Sequence, residues 1–191
     1  MNIAGRLLVL LLLLACRPIV THAAEQGVPG HLALLAGGGE SIPGWGDTTE
    51  RIKTVDITFR YAGLINRPFL PGWLHAQEQL WIELPVMYIV DPYDAPIYSL
   101  NFLFCCIFKH YESFQPYLTA GGGPVYVATD VQGMGSRLCG NYQAGLGVRI
   151  PFGGWSLHTE LRFHHISNLG MDDPNVPLNS LRGLLGVSWN F

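Results

Sequence analysis

Apolar and polar residues alternate along this chain in one segment after another. In residues 155–168 the odd-numbered positions form a mainly apolar face, and the even-numbered positions form a strongly polar one. A period of two is the signature of a β-strand with two different environments on its faces. The alternation predicts an all-β chain of eight antiparallel strands, which cover residues 31–37, 51–62, 77–90, 96–108, 114–129, 140–152, 155–168 and 178–191.

The predicted strands are long enough to cross a bilayer, which takes about 9–11 tilted residues. Their polar faces carry charged residues that can pair inside a lumen filled by side chains: Asp56, Arg60, Glu83, Arg149, Glu160 and Arg162. Phe191 closes the last strand on its apolar register and resembles the C-terminal signal of outer-membrane barrels. We therefore predict an eight-stranded transmembrane β-barrel whose apolar face meets lipid. The alternative is a soluble barrel similar to lipocalins, with the apolar face turned inward.

Two features predict irregularities in this wall. Pro85 lies within the third strand, where it cannot donate to the ladder, and it predicts a bulge or a local break. Gly121, Gly122 and Gly123 predict a tight bend or close packing in the fifth strand. Segments 36–50 and 63–74 are interpreted as extracellular or rim loops.

Composition narrows the class of protein. The 191 residues are 49% hydrophobic but only 13% charged, with a net charge of −3, and this length fits one domain. The charge argues against a nucleic-acid surface, which is normally basic. After residue 23, no apolar run reaches the length of a transmembrane helix.

The first residues resemble an export signal. Arg6 precedes an apolar run from Leu7 to Ala15, and the small residue Ala23 suits cleavage. We predict a signal peptide at 1–23 and a barrel domain at 24–191. The alternative is lipoprotein processing at Cys16.

The remaining chemistry-bearing residues have structural interpretations. Cys105, Cys106 and Cys139 allow one disulfide to Cys139, although small apolar wall residues are the favoured interpretation. His158 and His164 fall on the polar face and predict a lumenal hydrogen-bond network rather than a metal site. No metal-ligand spacing of the HExxH or CxxC kind is present, so no metal or cofactor is predicted.

His165 and Ser167 are different, because they complete the apolar face of their strand. A base and a hydroxyl at i and i+2 stand roughly 7 Å apart at Cα, so their side chains can meet. With both termini periplasmic, this pair lies near the outer leaflet. A nucleophile facing lipid suits an enzyme that acts on a membrane lipid.

The residues from His165 to Asn168, followed by Gly170 and Asn175, resemble lipid A deacylases of the PagL type. The resemblance implies a Gram-negative outer-membrane enzyme that removes a 3-O-linked acyl chain from lipopolysaccharide without a cofactor. It implies that Ser167 is the nucleophile and His165 its general base. It also implies an oxyanion hole formed by the Gly170 N–H and the Asn175 side chain, with Asn168 shaping the turn.

The third member of the triad departs from the family pattern. The family has a glutamate twelve residues after the serine, where this chain has Asn179. Losing the triad carboxylate can cost about 10⁴ in kcat. Asn179 is favoured as the group that orients His165, since its odd position is outward, while Asp172 and Asp173 in the preceding loop are alternatives.

Two other functions follow from weaker readings of the same features. Asn179 supports a non-catalytic barrel with a structural or interaction role. A phospholipase would use similar chemistry on a different lipid. Mass spectrometry of lipid A with and without the protein separates these interpretations.

Overall fold

The computed structural model describes residues 30–65, 70–74, 76–109 and 111–191. The predicted signal peptide and Cys16 lie outside the described residues. The strands are β1 (Gly30–Ser41), β2 (Lys53–Leu64), β3 (Ala76–Asp91), β4 (Ala95–Ser99), β5 (Asn101–Phe108), β6 (Gln115–Val127), β7 (Leu138–Phe152), β8 (Trp155–Ser167) and β9 (Leu178–Asn190). Among the described residues, no helix has the length and hydropathy needed to cross a membrane.

The strands close into an antiparallel barrel. Apart from β4 and β5, each strand pairs with its chain neighbours, and β1 pairs with β9 along most of its length, so the sheet has no free edge among these elements. β4 and β5 follow one another along a single position of the wall, since both pair with β3 on one side and β6 on the other. The eight predicted wall positions and the all-β fold are therefore confirmed.

The predicted fourth strand is interrupted at Leu100 instead of running through. Pro85 lies on one side of this point, and Pro124 lies on the other, where its carbonyl accepts the Leu100 N–H at 3.2 Å. Because neither proline has an N–H to donate, the ladder loses bonds from both neighbours at this level. The break expected from Pro85 thus occurs in the adjacent strand, while β3 itself continues through the proline.

β1 is longer than predicted, because it continues through Gly37, Gly38 and Gly39 to Ser41. A Cβ atom at Gly37 would lie 2.0 Å from the Gly183 carbonyl oxygen, so the close approach of β9 requires glycine there. The connection to β2 is therefore shorter than the predicted 36–50 loop and covers residues 42–52. We call the end of the barrel that carries loops 42–52, 92–94, 128–137 and 168–177 the outer rim. The predicted 63–74 loop overlaps the end of β2, and its described residues lie at the opposite end of the barrel.

The alternation predicted the two faces of the wall correctly. Val55, Ile57 and Phe59 are exposed on the outside, whereas Asp56, Thr58 and Arg60 are buried inside. An aqueous sheet buries its apolar face, so this arrangement fits a wall surrounded by hydrocarbon. The soluble, inward-facing alternative is excluded by the same pattern.

Charged side chains fill the centre of the lumen. Arg60 and Arg162 both contact the carboxylates of Glu83 and Glu160, with an Arg60 Nε–Glu83 Oε1 distance of 2.7 Å. The Arg60 guanidinium also lies 3.7 Å from the ring centroid of Trp81. Buried charges persist only when they are paired in this way.

The other predicted lumenal groups find different partners. Asp56 pairs with Arg182 at 2.8 Å, and Arg149 bonds to the hydroxyl of Ser156 rather than to a carboxylate. His158 Nε2 lies 2.8 Å from Ser188 Oγ. The disulfide that the sequence allowed is absent, since the cysteines described at positions 105, 106 and 139 are free.

Candidate active site

Three predicted residues meet on the outer wall just below the outer rim. His165 lies directly opposite Asn179 in the β8–β9 pairing, and Ser167 follows on the same face of β8. His165 Nε2 is 3.2 Å from Ser167 Oγ, and His165 Nδ1 is 2.7 Å from Asn179 Oδ1. The imidazole is half-buried, while Ser167 and Asn179 are 8% and 7% exposed. The arrangement has the connectivity of a nucleophile, a base and an orienting group.

Contacts with the β1–β2 loop (42–52) define which way the Asn179 amide points. Its Nδ2 donates to the Trp45 carbonyl oxygen at 2.8 Å. Because a carbonyl only accepts, the nitrogen of the amide must face Trp45, and the oxygen must face His165. The neutral imidazole tautomer with its proton on Nδ1 satisfies this hydrogen bond and leaves the Nε2 lone pair for the Ser167 hydroxyl.

Tyr142 supports the imidazole from the neighbouring strand. It is the cross-strand partner of His165 in the β7–β8 pairing, and the two rings stack with centroids 4.2 Å apart and planes inclined by 19°. Such stacking on an exposed wall restricts rotation of the ring. The tyrosine therefore holds the plane of the His165 imidazole.

The turn after Ser167 is organised by Asn168, which is fully buried. Its side chain accepts the Gly170 N–H at 2.9 Å and donates to the Asp172 carbonyl at 2.6 Å and, more weakly, to the Pro174 carbonyl at 3.3 Å. Leu169 adopts φ 59° and Gly170 φ 73°, so the chain reverses through two left-handed residues. The side chain of Asn168 thus connects the two ends of this turn through its hydrogen bonds.

The two groups predicted for an oxyanion hole are both part of this turn. The Gly170 N–H already donates to Asn168, and Asn175 Oδ1 accepts the Asn168 N–H at 3.0 Å. Gly170 must therefore exchange its partner before it can bind an oxyanion. The Asn175 amide keeps its own Nδ2 as the donor group available to a ligand.

The alternative orienting residues do not occupy the same place. Asp172 and Asp173 are exposed in the β8–β9 loop (168–177), and Asp172 contacts Asn168 through its backbone carbonyl. Asn179 fills the position beside His165 Nδ1. Within the described part of the chain, no group of three or more metal-ligating side chains is found.

An apolar groove of about 480 Å³ opens beside Ser167 on the outer wall. Tyr142 and Leu138 line it from β7, and Leu169 and Met171 line it from the β8–β9 loop. Leu169 and Met171 are 69% and 59% exposed, so the loop presents apolar side chains at the rim. The volume is in the range of small-molecule sites, and its lining suits a hydrocarbon chain.

The loops around the site hold one another in place. Tyr93 in the β3–β4 turn (92–94) donates to Glu50 at 2.7 Å and accepts the Gln132 N–H at 3.2 Å. Burial and the Glu50 carboxylate raise the pKa of the Tyr93 phenol, so its hydroxyl remains the donor to Glu50. The Val176 N–H bonds to the Gly133 carbonyl at 2.7 Å. Sites supported by such contacts are preorganised.

Several neighbours of His165, Ser167 and Asn179 were not identified from the sequence. Tyr142 was not identified, because its contact with His165 depends on the register between β7 and β8. Trp45 and Thr48 act on Asn179 through a backbone carbonyl and a loop hydroxyl, for which the sequence contains no signal. The apolar groove lining was detectable only in part, as exposed Leu169 and Met171 in a polar loop.

The family sequence model described as lipid A 3-O-deacylase (PagL) matches residues 74–188, which is more than half of the chain. No curated protein matches the sequence.

Solved structures share the fold. The crystal structure of the outer-membrane enzyme PagL is 17% identical, with a TM-score of 0.60, covering 82% of this chain and 97% of that one. Neisserial surface protein A is 16% identical, with a TM-score of 0.57, covering 85% of this chain and 97% of that one. Ail of Yersinia pestis is 12% identical, with a TM-score of 0.50, covering 86% of this chain and 99% of that one.

Proposed function

Because this chain belongs to the lipid A 3-O-deacylase (PagL) family, we propose that it is a serine esterase that removes the 3-O-linked acyl chain from lipid A. The family and the barrel fold make it a bacterial outer-membrane protein. The single observation that carries the mechanism is the contact between His165 Nε2 and Ser167 Oγ on the lipid-facing wall, beside an apolar groove.

The position of the pair suits a substrate that stays in the membrane. With the outer rim on the cell surface, Ser167 lies at the level of the outer leaflet, where lipopolysaccharide resides. The groove takes the acyl chain, and the ester carbonyl then lies against Ser167 Oγ. The substrate reaches the site laterally and never leaves the bilayer.

Acylation begins when Ser167 Oγ attacks the ester carbonyl while His165 Nε2 removes the hydroxyl proton. The tetrahedral intermediate collapses with cleavage of the bond to the sugar oxygen, which takes the proton from His165 and leaves as an alcohol. Ser167 then carries the acyl chain as an ester. Water, activated by His165, attacks this ester and releases the fatty acid with Ser167 restored.

The oxyanion would be bound by the Gly170 N–H and Asn175 Nδ2. Each such donor typically lowers the activation barrier by about 3–4 kcal/mol. In the free protein the Gly170 N–H is satisfied by Asn168. We infer that substrate entry displaces this internal acceptor, which keeps a half-exposed N–H satisfied between turnovers.

The test is mass spectrometry of lipid A incubated with the purified barrel. The parent releases a hydroxy fatty acid, and Ser167→Ala abolishes the release. Ser113→Ala is the matched control, because Ser113 is an exposed serine between β5 and β6, at the end of the barrel opposite the site. Release by Ser167→Ala at the parental rate would show that the nucleophile is wrong.

The same assay distinguishes the other functions. Phospholipid vesicles without lipid A are a poor substrate if the proposal is right, and faster turnover on them would indicate a phospholipase. A folded barrel that leaves both lipids intact would indicate a non-catalytic protein.

A further inference from the structure

The β1–β2 loop (42–52) lies outside the range matched by the family model, yet it touches the orienting residue of the proposed triad. Three hydrogen bonds join the loop to Asn179. The Asn179 N–H donates to Thr48 Oγ1 at 2.9 Å, its carbonyl accepts the Ile42 N–H at 2.9 Å, and its Nδ2 donates to the Trp45 carbonyl at 2.8 Å. Thr48 is almost fully buried by these contacts.

The bond to Trp45 matters because an amide has two chemically different ends. An asparagine in place of a triad carboxylate fails in serine proteases because it stabilises the wrong histidine tautomer. Its nitrogen then faces the imidazole, and the proton moves to the nitrogen that should act as the base. Here the backbone carbonyl of Trp45 accepts a hydrogen bond from the Asn179 amide nitrogen, so only the amide oxygen can face His165.

We propose that the Trp45–Thr48 segment is a positioning element that fixes the Asn179 amide and, through it, the Nδ1–H tautomer of His165. This inference rests on the proposed esterase function for its kinetic consequences but not for the tautomer itself. In an ordinary triad the carboxylate fixes the tautomer of the histidine. Here the Trp45–Thr48 segment does so, because it fixes the orientation of the Asn179 amide. Asn179 is then an orienting residue that acts together with this loop, rather than a triad residue that has lost its function.

The loop is built to keep the carbonyl in place. The Gly44 N–H bonds to the Thr48 carbonyl at 2.9 Å, and the Trp45 N–H bonds to the Ile42 carbonyl at 3.0 Å. The indole of Trp45 packs on Phe163 with centroids 4.8 Å apart, two residues before His165 on the same face. The loop is therefore attached to β8 and β9 at the level of the triad.

Replacing the amide with a carboxylate separates this proposal from an ordinary triad. In Asn179→Asp the nitrogen next to the Trp45 carbonyl becomes an oxygen, so two acceptors face each other at about the 2.8 Å seen here. We expect kcat to fall by about tenfold or more as the loop contact breaks. An ordinary triad predicts the opposite, because a carboxylate also stabilises the imidazolium. An unchanged or higher kcat would overturn the proposal.

Two glycines in the loop provide a matched pair of perturbations. Both have positive φ, 86° at Gly44 and 57° at Gly46, so alanine strains either one. A Cβ at Gly46 would lie 3.2 Å from Asn179 Nδ2, whereas a Cβ at Gly44 would meet nothing within 4 Å. Gly46→Ala should lower kcat by about tenfold relative to Gly44→Ala, because it crowds the amide. Equal effects would contradict the proposal.

Thr48 gives a gentler variant that keeps the loop backbone intact. Thr48→Val removes the acceptor of the Asn179 N–H and should lower kcat about fivefold, the factor that one hydrogen bond typically contributes. Thr48→Ser keeps the hydroxyl and should restore the parental rate. Thr49→Val is the control, since Thr49 is the neighbouring threonine and is exposed.

The spectroscopic test uses ¹⁵N-histidine labelling of the folded barrel in detergent, with His165 assigned from a His165→Gln spectrum. We expect His165 to carry its proton on Nδ1 in the parent and to become a mixture of tautomers in Gly46→Ala and Thr48→Val. A parent protonated on Nε2, or variants with the parental signature, would overturn the proposal. This measurement decides the question even if the parent releases no fatty acid, an outcome that would refute only the proposed function.

Discussion

Replacing Asn168 with alanine tests whether the turn after Ser167 is held by one side chain. The substitution removes an acceptor from the Gly170 N–H and a donor from the carbonyls of Asp172 and Pro174. The two bonds of good geometry, at 2.9 and 2.6 Å, contribute roughly 1 kcal/mol each, so the turn loses about 2 kcal/mol.

The same substitution has one opposing effect. It releases the Gly170 N–H from an internal partner and leaves that donor free for an oxyanion, a gain of at most about 1 kcal/mol. If the turn carries the oxyanion donors, the loss is larger than the gain. At 1.36 kcal/mol per tenfold, kcat should fall by about 5- to 30-fold.

The assay is the initial rate of fatty acid release from lipid A in mixed micelles, with kcat and KM determined separately. Thermal unfolding followed by circular dichroism checks that the barrel is intact. Asn168→Asp is the informative companion variant, because it keeps an acceptor for Gly170 but places a second oxygen against the two carbonyls. We expect it to be at least as slow as Asn168→Ala. A parental or faster rate for Asn168→Ala would mean that Asn168 competes with the oxyanion and does not hold the turn.

The remaining predictions concern the imidazole, the lumen and the thiols. Tyr142→Leu should lower kcat by roughly 2- to 12-fold through loss of ring stacking worth about 0.5–1.5 kcal/mol, whereas Tyr142→Phe should keep the parental rate. Glu83→Gln should destabilise the barrel in urea by about 3–5 kcal/mol, since it leaves the charges of Arg60 and Arg162 incompletely paired, and a shift below 1 kcal/mol would show that the network contributes little. A reducing agent should leave the melting temperature unchanged, because the described cysteines are free.

The wall of the barrel was predictable because its physics is local. In β2, the alternation of Val55, Ile57 and Phe59 with Asp56 and Arg60 defines both faces without knowledge of any neighbour. The strand boundaries that were predicted wrongly depend on contacts with neighbouring strands. Gly37 extends β1 because β9 approaches it closely, and the break at Leu100 requires prolines on two flanking strands.

The contacts of the candidate site were likewise predictable where they depend on one strand or on the pairing of adjacent strands, and not where they depend on register or on a folded loop. The pair formed by His165 and Ser167 follows from parity within one strand, and the contact with Asn179 follows from parity plus antiparallel pairing. The stacking of Tyr142 on His165 needs the register of β7, which the sequence does not specify. The carbonyl of Trp45 was beyond prediction, because every residue has a carbonyl and only a folded loop decides where it points.

The ion-paired centre of the lumen has a consequence for the cell that carries this protein. Arg60, Glu83, Glu160 and Arg162 are each at most 5% exposed, so the barrel is blocked at their level. Unlike a porin, it offers no route there for antibiotics or bile salts. Copies of this barrel can therefore be inserted into the membrane without adding an aqueous path at that level.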